Sequence, residues 1–466
     1  MIHRTQSSRL ATMFLALSLC GLCRADLADR INRVIQDNRK VEFGIRIVRA
    51  DSGEVLFAYR DREPMVPASN LKLVTTAAAL RTLGPNFEFR TEVGLCGETL
   101  VIVGSGDPLL GDAQTDQDAG REPGWLLEDI ACKLHEVGIQ KVQDIVLDST
   151  VFDDQRVHPD WPVSDLNRDY ACEVCGLNYN GNCIRMTVTN VNGTARVAIE
   201  PGTAYVTYTS QVRVTSSPGA VGAYRIMGQP NTLVVKGHCR RQQGPFQVAI
   251  ERPAVYFGFV LAEHLKRSGI EIGGQLIERT FVKDETFRSL SLYRTTLAQC
   301  LQRCNKDSFN LAAECLLKTL AVQASSTRRN GSWAAGTERI GRFLQDLGVD
   351  TAEFSLDDGC GLSRENRISA NALTRVLLSM YRSPDWHLYR DSLAVGGEDG
   401  TISSDFRSPE YRGRVLAKTG YINQVRAFSG LCETDDGPVL FSILTNKANG
   451  LKPVVNQIVQ EVLDGE

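Results

Sequence analysis

The sequence predicts an α+β protein in which an antiparallel sheet flanked by helices is split between both ends of the chain by two inserted domains. Three observations support this prediction: a strand-turn-strand pattern near the N-terminus, strand patterns followed by a helix near the C-terminus, and a middle region of different character. The 466 residues, 42% hydrophobic and 23% charged, have globular composition and are too many for one ordinary core.

The N-terminal pattern covers residues 41–59, where apolar residues alternate on both sides of a turn at residues 51–53. It predicts a hairpin that opens the sheet. Two prolines then interrupt the chain, and the apolar stripe from Ala68 to Leu83 predicts a helix that ends at Gly84.

The middle of the chain is predicted to form the two inserted domains. Residues 91–168 combine strand, helix and strand patterns, which indicates an α/β domain. Residues 169–272 are rich in threonine and valine and predict a β-rich domain. Residues 26–90 and 273–466 are then the two parts of the outer domain.

The second part of the outer domain begins with helical patterns. These run from Ser308 to about Ala324, near Thr337–Leu347 and from Ala370 to Tyr381. Three strand patterns follow, in GRVLAKTG, VRAFSGLC and PVLFSILTN, and a helix is predicted over residues 452–464. These strands complete the sheet that the N-terminal hairpin opens.

Residues 1–25 have the features of a secretory signal peptide: two arginines, an apolar run from Ala11 to Cys23 and a small residue, Ala25, at the cleavage position. A single membrane anchor is the alternative, but the run is shorter than the roughly 20 apolar residues of a spanning helix. We therefore expect export to the periplasm or the extracellular space, with no transmembrane segment in the mature protein.

Charge and cysteine content limit the binding partners and metal sites to be expected. The formal net charge of −3 gives no bulk attraction to nucleic acid or to an anionic membrane, so neither is expected as a partner. Of the 13 cysteines, an odd number follows the predicted signal peptide, so at least one lies outside any intramolecular disulfide. Cys172, Cys175 and Cys183 are closely spaced, but a fourth ligand is missing nearby, and we expect no metal.

Three short elements carry the chemistry, and they occur in the order Ser69-Asn70-Leu71-Lys72, Ser308-Phe309-Asn310 and Lys418-Thr419-Gly420. Together they match the triple signature of penicillin-binding proteins and serine β-lactamases. Each triplet alone is a weak signal, but all three in order, each in a suitable helix or strand context, predict one catalytic site.

The first element predicts a nucleophile beside its base. Ser69 and Lys72 are three positions apart on a helix, so they project from one face and the amine can take the hydroxyl proton. Lys418 is expected to disfavour a second ammonium at Lys72, because like charges repel. The helix N-terminus at Ser69 favours developing negative charge.

The other two elements are expected to complete the site. Ser308 can relay a proton to the leaving amine, and Asn310 can hold Lys72 and the substrate amide. Lys418 and Thr419, on a sheet-edge strand, can bind the terminal carboxylate of the substrate, and Gly420 permits close backbone approach.

The oxyanion hole is expected from two backbone N–H groups, those of Ser69 and Tyr421. No cofactor is required for this chemistry.

The chain resembles the class C low-molecular-mass penicillin-binding proteins of peptidase family S13, the D-alanyl-D-alanine carboxypeptidases and endopeptidases of the penicillin-binding-protein-4 type. The resemblance rests on PASNLKLVTTAAAL, VGSGDPLL, DSFNLAAECLLK, DDGCGLSRENRISA, GGEDGTI and LAKTGYINQVRAFSG, which run from near residue 41 to near residue 446. It implies a penicillin-binding transpeptidase-like domain, and the long gap between Lys72 and Ser308 resembles this family's two insertions.

The resemblance also implies a pocket beside the nucleophile for the side chain of the stem peptide. Asp165, Tyr170, Arg364 and Asn423 are the positions that match it, although a relative has Gln in place of Asn423. Acidic residues in the neighbouring loops, such as Asp358 and Asp399, are expected to hold those loops.

The implied activity is a serine-type D-alanyl-D-alanine carboxypeptidase, a DD-endopeptidase of peptidoglycan, or both, acting through an acyl-enzyme on Ser69. Its expected partners are stem peptides ending in D-Ala-D-Ala, D-alanyl cross-links, and β-lactams as covalent inhibitors. Two alternatives stay open: a serine β-lactamase-like hydrolase, for which no Glu-x-x-Leu-Asn loop is found between Asn310 and Lys418, and an inactive cell-wall-binding scaffold.

Overall fold

The computed structural model describes residues 27–325 and 327–465, so the predicted signal peptide lies outside the described residues. The chain divides into two compact units. The first unit comprises the described residues of Met1–Leu80, Gln302–Ser308 and Ile340–Glu466, and the second comprises those of Arg81–Leu301 and Phe309–Arg339. The boundaries of the two predicted inserted domains stay a prediction.

The α-helices are numbered in chain order. They are α1 (residues 27–37), α2 (Leu71–Leu83), α3 (Ala113–Asp118), α4 (Trp125–Glu136), α5 (Pro253–Arg267), α6 (Leu297–Asn305), α7 (Asn310–Ala324), α8 (Trp333–Asp346), α9 (Ala370–Tyr381), α10 (Trp386–Asp391) and α11 (Lys452–Asp464).

The strands are numbered in the same way. They are β1 (Glu42–Arg49), β2 (Val55–Tyr59), β3 (Glu88–Cys96), β4 (Thr99–Val103), β5 (Lys141–Val142), β6 (Ile145–Asp148), β7 (Cys183–Val191), β8 (Thr194–Glu200), β9 (Thr207–Val214), β10 (Val221–Arg225), β11 (Thr232–Cys239), β12 (Gln242–Ala249), β13 (Glu271–Ile272), β14 (Leu276–Glu278), β15 (Phe287–Thr296), β16 (Phe354–Ser355), β17 (Arg367–Ile368), β18 (Ala394–Val395), β19 (Val415–Ile422), β20 (Val425–Thr434) and β21 (Gly437–Asn446).

The first unit is built on an antiparallel sheet with the strand order β18-β19-β20-β21-β1-β2. The predicted N-terminal hairpin is confirmed as β1 and β2, and it joins the three C-terminal strands through the pairing of β1 with β21. Apolar residues of α1 and α11 pack with this sheet in one buried core. The sheet therefore unites both ends of the chain, as the sequence predicts.

Strand β19 carries Lys418, Thr419 and Gly420, and only its first part has an outer neighbour. The short strand β18 pairs Ala394 with Ala417 and Val395 with Leu416, and this pairing ends just before Lys418. The predicted sheet-edge strand is therefore partly covered. The covered part anchors the strand, and its outer edge has no β18 partner from Lys418 onward.

The second unit contains a mixed five-stranded sheet in the order β14-β6-β4-β3-β15, in which β4, β6 and β14 are parallel. Helices α4 and α5 pack into its main core. Two three-stranded sheets, β12-β7-β8 and β10-β11-β9, form the β-rich region between residues 183 and 249. None of the helices within residues 27–325 and 327–465 combines the length and apolar character needed to cross a bilayer.

Candidate active site

The first turn of the predicted catalytic helix places Ser69 beside Lys72. Residues Ala68–Asn70 form a single 3-10 turn that continues directly into α2. Lys72 Nζ donates a hydrogen bond of 2.9 Å to Ser69 Oγ. Lys72 is fully buried whereas Ser69 is partly exposed, so the hydroxyl faces accessible space and the amine lies behind it.

A loop at residues 357–363 holds this helix start from the side. Lys72 Nζ also donates to the carbonyl oxygen of Cys360 at 3.0 Å, and Thr75 Oγ1 donates to the carbonyl oxygen of Gly359 at 2.7 Å. Gly361 has a φ of +84°, and a Cβ built on it would lie 1.9 Å from the carbonyl oxygen of Ala68. The loop thus needs glycine here, because any side chain would displace the turn that carries the serine.

Asp358 holds the conformation of this loop, as the sequence analysis expects. Its buried carboxylate accepts hydrogen bonds of 2.7 Å from the N–H groups of Gly361 and Ser363, and one of 2.9 Å from Asn366 Nδ2. These bonds satisfy the buried charge and fix the position of the Cys360 carbonyl that Lys72 contacts.

Strand β19 lies against the same helix start. A Cβ built on Gly420 would lie 2.7 Å from the carbonyl oxygen of Pro67 and 3.1 Å from the N–H of Asn70. Lys418 is fully buried, and its pKa is held well below the usual value by burial first and by the positive charge of Lys72 second. The structure therefore brings Ser69, Lys72 and Lys418 together in the first unit.

A buried polar chain that the sequence analysis missed fixes the residue after the nucleophile. Asn70 Nδ2 donates to Ser429 Oγ at 2.7 Å, and Ser429 Oγ donates to Ser442 Oγ at 2.9 Å. All three side chains are fully buried. Because these serines lie on β20 and β21, the chain ties the first turn to the sheet, and no local sequence pattern indicates it.

Ser308 lies in the short loop between α6 and α7, with a left-handed φ of +63°. The sequence predicts a helix start at Ser308, but α7 begins two residues later, at Asn310. Asp307, the residue before the serine, is close enough to influence the pKa of Lys418. A left-handed serine is strained by roughly 1–3 kcal/mol, which is a feature that clusters at functional sites.

Asn310 belongs to the second unit and is buried there at the start of α7. Its Nδ2 donates a hydrogen bond of 2.6 Å to the carbonyl oxygen of Tyr170. The helix that carries Asn310 is thus tied to the segment that carries one of the predicted pocket residues.

The four predicted pocket residues form two pairs. In the second unit, Asp165 lies beside Tyr170, and the pKa of Tyr170 is raised by burial first and by the charge of Asp165 second. In the first unit, the Arg364 guanidinium donates to the carbonyl oxygen of Asn423. Each pair is a local arrangement within its own unit.

The three closely spaced cysteines are buried thiols. Burial raises the pKa of Cys172, Cys175 and Cys183 above the ordinary thiol value. The thiolate is the form that binds metals, and burial disfavours that form.

A partly exposed serine, an amine hydrogen-bonded to it and a second buried lysine on an adjacent strand define the class of active-site serine enzymes of the penicillin-binding type. The sequence model of the D-Ala-D-Ala carboxypeptidase 3 (S13) family matches residues 27–463. A D-alanyl-D-alanine carboxypeptidase of Actinomadura sp. is 30% identical over 94% of this chain and 84% of its own length. The D-alanyl-D-alanine carboxypeptidase DacB of Haemophilus influenzae is 26% identical over 82% and 80%.

Solved structures show the same architecture. Penicillin-binding protein 4 of Haemophilus influenzae superposes with a TM-score of 0.78 at 23% identity, covering 93% of this chain and 98% of its own. A penicillin G-acylated predatory endopeptidase of Bdellovibrio bacteriovorus has a TM-score of 0.52 at 17% identity, over 91% and 93%. These likenesses confirm the predicted fold class.

This chain belongs to the D-Ala-D-Ala carboxypeptidase 3 (S13) family. The predicted family and enzyme class, a serine-type D-Ala-D-Ala carboxypeptidase, are therefore confirmed.

Proposed function

We propose that this protein cleaves the terminal D-Ala-D-Ala bond or a D-alanyl cross-link of peptidoglycan stem peptides, with Ser69 as the nucleophile. The observation that carries the proposal is the contact of Lys72 Nζ with Ser69 Oγ at 2.9 Å, on a helix start enclosed by the 357–363 loop. Membership of the D-Ala-D-Ala carboxypeptidase 3 (S13) family supports D-alanyl peptides as the class of substrate.

The base in this mechanism is the unprotonated amine of Lys72. Such an amine has two N–H groups and one lone pair. One N–H donates to the Cys360 carbonyl oxygen; when the amine turns its lone pair in place of an N–H toward Ser69, it takes the serine proton as the serine oxygen attacks the substrate carbonyl. The product is an ester between Ser69 and the acyl part of the peptide, and water later hydrolyses this ester.

The remaining residues of the first unit bind the substrate carboxylate and stabilise the oxyanion. Lys418 and Thr419 bind the substrate carboxylate, and the N–H groups of Ser69 and Tyr421 stabilise the oxyanion. The close approach of Gly420 to the first turn supports this arrangement, because it brings β19 against the backbone of Pro67 and Asn70. Ser308 relays the proton from Lys72 to the leaving amine.

For Asn310 we propose the substrate-amide role that the family resemblance implies. For Asp165, Tyr170, Arg364 and Asn423 we propose the implied role of binding the side chain at the third stem position. The hydrogen bond from Asn310 to the Tyr170 backbone supports a shared role for these two segments.

Export to the periplasm or the extracellular space follows from this substrate, because peptidoglycan lies outside the cytoplasm. Residues 1–25 provide the signal peptide in this proposal.

Intact mass spectrometry after brief incubation with benzylpenicillin tests the nucleophile. We expect a stable adduct on the parent and on Ser289→Ala, which removes an exposed strand serine, and none on Ser69→Ala. The parent should also release D-alanine from a peptide ending in D-Ala-D-Ala. Hydrolysed drug without an adduct would favour the β-lactamase alternative, and intact drug without an adduct would favour the inactive scaffold.

A further inference from the structure

We propose that Thr401 is a specificity-determining residue. Its hydroxyl, together with that of Thr419, binds the terminal carboxylate of the substrate. This inference rests on the proposed function and deepens it, because it names a group beyond the three signature elements. Thr401 lies in GGEDGTI, one of the segments on which the family resemblance rests.

The two hydroxyls lie side by side. Thr419 Oγ1 donates a hydrogen bond of 3.0 Å to Thr401 Oγ1. Thr401 is exposed and Thr419 is half-buried, so both reach solvent. Within residues 27–325 and 327–465, the Thr401 hydroxyl makes no other hydrogen bond, so its own proton is available to a ligand. A carboxylate accepts through two oxygens; when it binds, Thr419 turns its proton from Thr401 to one oxygen and Thr401 donates its own proton to the other.

Strand β19 does not provide such a second donor itself. Side chains alternate along a strand, so Ala417 and Tyr421 share the face of Thr419. Alanine has no donor, and Tyr421 is 64% exposed with its hydroxyl at the far end of the ring. A short hydroxyl beside Thr419 therefore has to come from a neighbouring segment.

Thr401 is held rigidly. It lies in the 3-10 turn Gly400–Ile402, and its N–H donates to the carbonyl oxygen of Lys306 at 3.2 Å. Gly400 has a φ of +57°, and a Cβ there would lie 2.7 Å from the same carbonyl. Asp399 accepts from the Val395 N–H at 2.8 Å. A donor that is already in place costs little ordering when the substrate binds.

The charges around Thr401 also suit an anion. Asp399, two positions before it, would repel a substrate carboxylate, but Lys306 Nζ forms an ion pair with it at 2.6 Å. The substrate carboxylate therefore meets two hydroxyls, and the nearby acid is neutralised by Lys306.

Steady-state kinetics of Thr401→Val, which removes the hydroxyl and keeps the shape, test the inference. The substrates are a peptide ending in D-Ala-D-Ala and the same peptide with a C-terminal amide. Loss of a hydrogen bond to a charged group, discounted for solvent exposure, corresponds to about a 10-fold weaker binding of the substrate. We expect KM for the carboxylate peptide to rise about 10-fold with kcat nearly unchanged, whereas hydrolysis of the amide stays as in the parent.

Thr401→Ser is the matched control, because it restores the hydroxyl and should restore the parent KM. The inference is overturned if Thr401→Val keeps the parent preference for the carboxylate, or if Thr401→Ser fails to rescue it while the melting temperature is unchanged. A parent that neither releases D-alanine nor reacts with benzylpenicillin would refute the proposed function instead, and the inference with it.

Discussion

Lys72 Nζ lies 2.9 Å from Ser69 Oγ and 3.0 Å from the carbonyl oxygen of Cys360. The amine therefore bridges the candidate nucleophile and a loop that is distant in sequence. The backbone acceptor sets the direction of the amine, and the amine sets the direction of the hydroxyl. Reactivity at Ser69 should depend on each of these groups.

Lys72→Met should slow acylation by benzylpenicillin by about 10²–10⁴-fold, because it removes the base and keeps an apolar stem of similar length. The time course of adduct formation by mass spectrometry measures this rate. Lys133→Met is the control, since Lys133 lies on α4 and forms a surface ion pair with Glu136. Acylation of Lys72→Met at the parent rate would exclude Lys72 as the base.

Two left-handed glycines make a matched pair for testing the loop. Gly361→Ala and Gly84→Ala each force alanine into a left-handed conformation, at φ of +84° and +82°, which costs roughly 1–2 kcal/mol. Among the described residues, the new Cβ at Gly84 meets no atom within 4 Å, whereas at Gly361 it meets the Ala68 carbonyl. We expect only Gly361→Ala to lose acylation, and equal acylation rates in both variants would contradict this role of the loop.

Ser308→Gly and Ser308→Ala should separate chemistry from backbone strain. Both remove the hydroxyl, so both should slow acylation to a similar extent. Glycine accepts the φ of +63° without strain. Ser308→Gly should therefore be more stable than Ser308→Ala by roughly 1 kcal/mol and should melt at a higher temperature. A lower melting temperature for the glycine variant would show that the left-handed backbone is not a source of strain.

The pH dependence of stability should reveal Asp107. Burial raises its pKa to about 6, although Thr295 Oγ1 and the Leu109 N–H donate to it. The pKa of Asp107 is higher in the folded than in the unfolded protein. Its contribution to folding stability is therefore complete below about pH 4 and is lost as the pH rises through about 6.

Between pH 4 and pH 7, the free energy of unfolding should therefore fall by roughly 3 kcal/mol less in Asp107→Asn than in the parent. Thermal melts at each pH measure this difference. Asp154→Asn, at an exposed position, should leave the pH profile of the parent unchanged. An identical pH profile for Asp107→Asn and the parent would show that Asp107 does not titrate in this range.

The sequence by itself determined the regular elements and the order of the motifs. The alternating residues of β1 and β2, the apolar stripe of α2 and the helices α9 and α11 are local patterns, because their burial follows their own periodicity. The helix periodicity also places Ser69 beside Lys72, since both belong to one turn. Ser308 is the local exception, because its left-handed conformation moves the start of α7 to Asn310.

Only the tertiary structure decided which distant groups meet. The Cys360 carbonyl reaches Lys72, Ser429 reaches Asn70, and Thr401 reaches Thr419, yet each contact joins segments with no shared pattern. The lowered pKa of Lys418 likewise depends on its burial beside Lys72. Such contacts arise from how sheet, loop and helix pack, and a hydroxyl or a carbonyl leaves no periodic signal in the sequence from which its partner could be predicted.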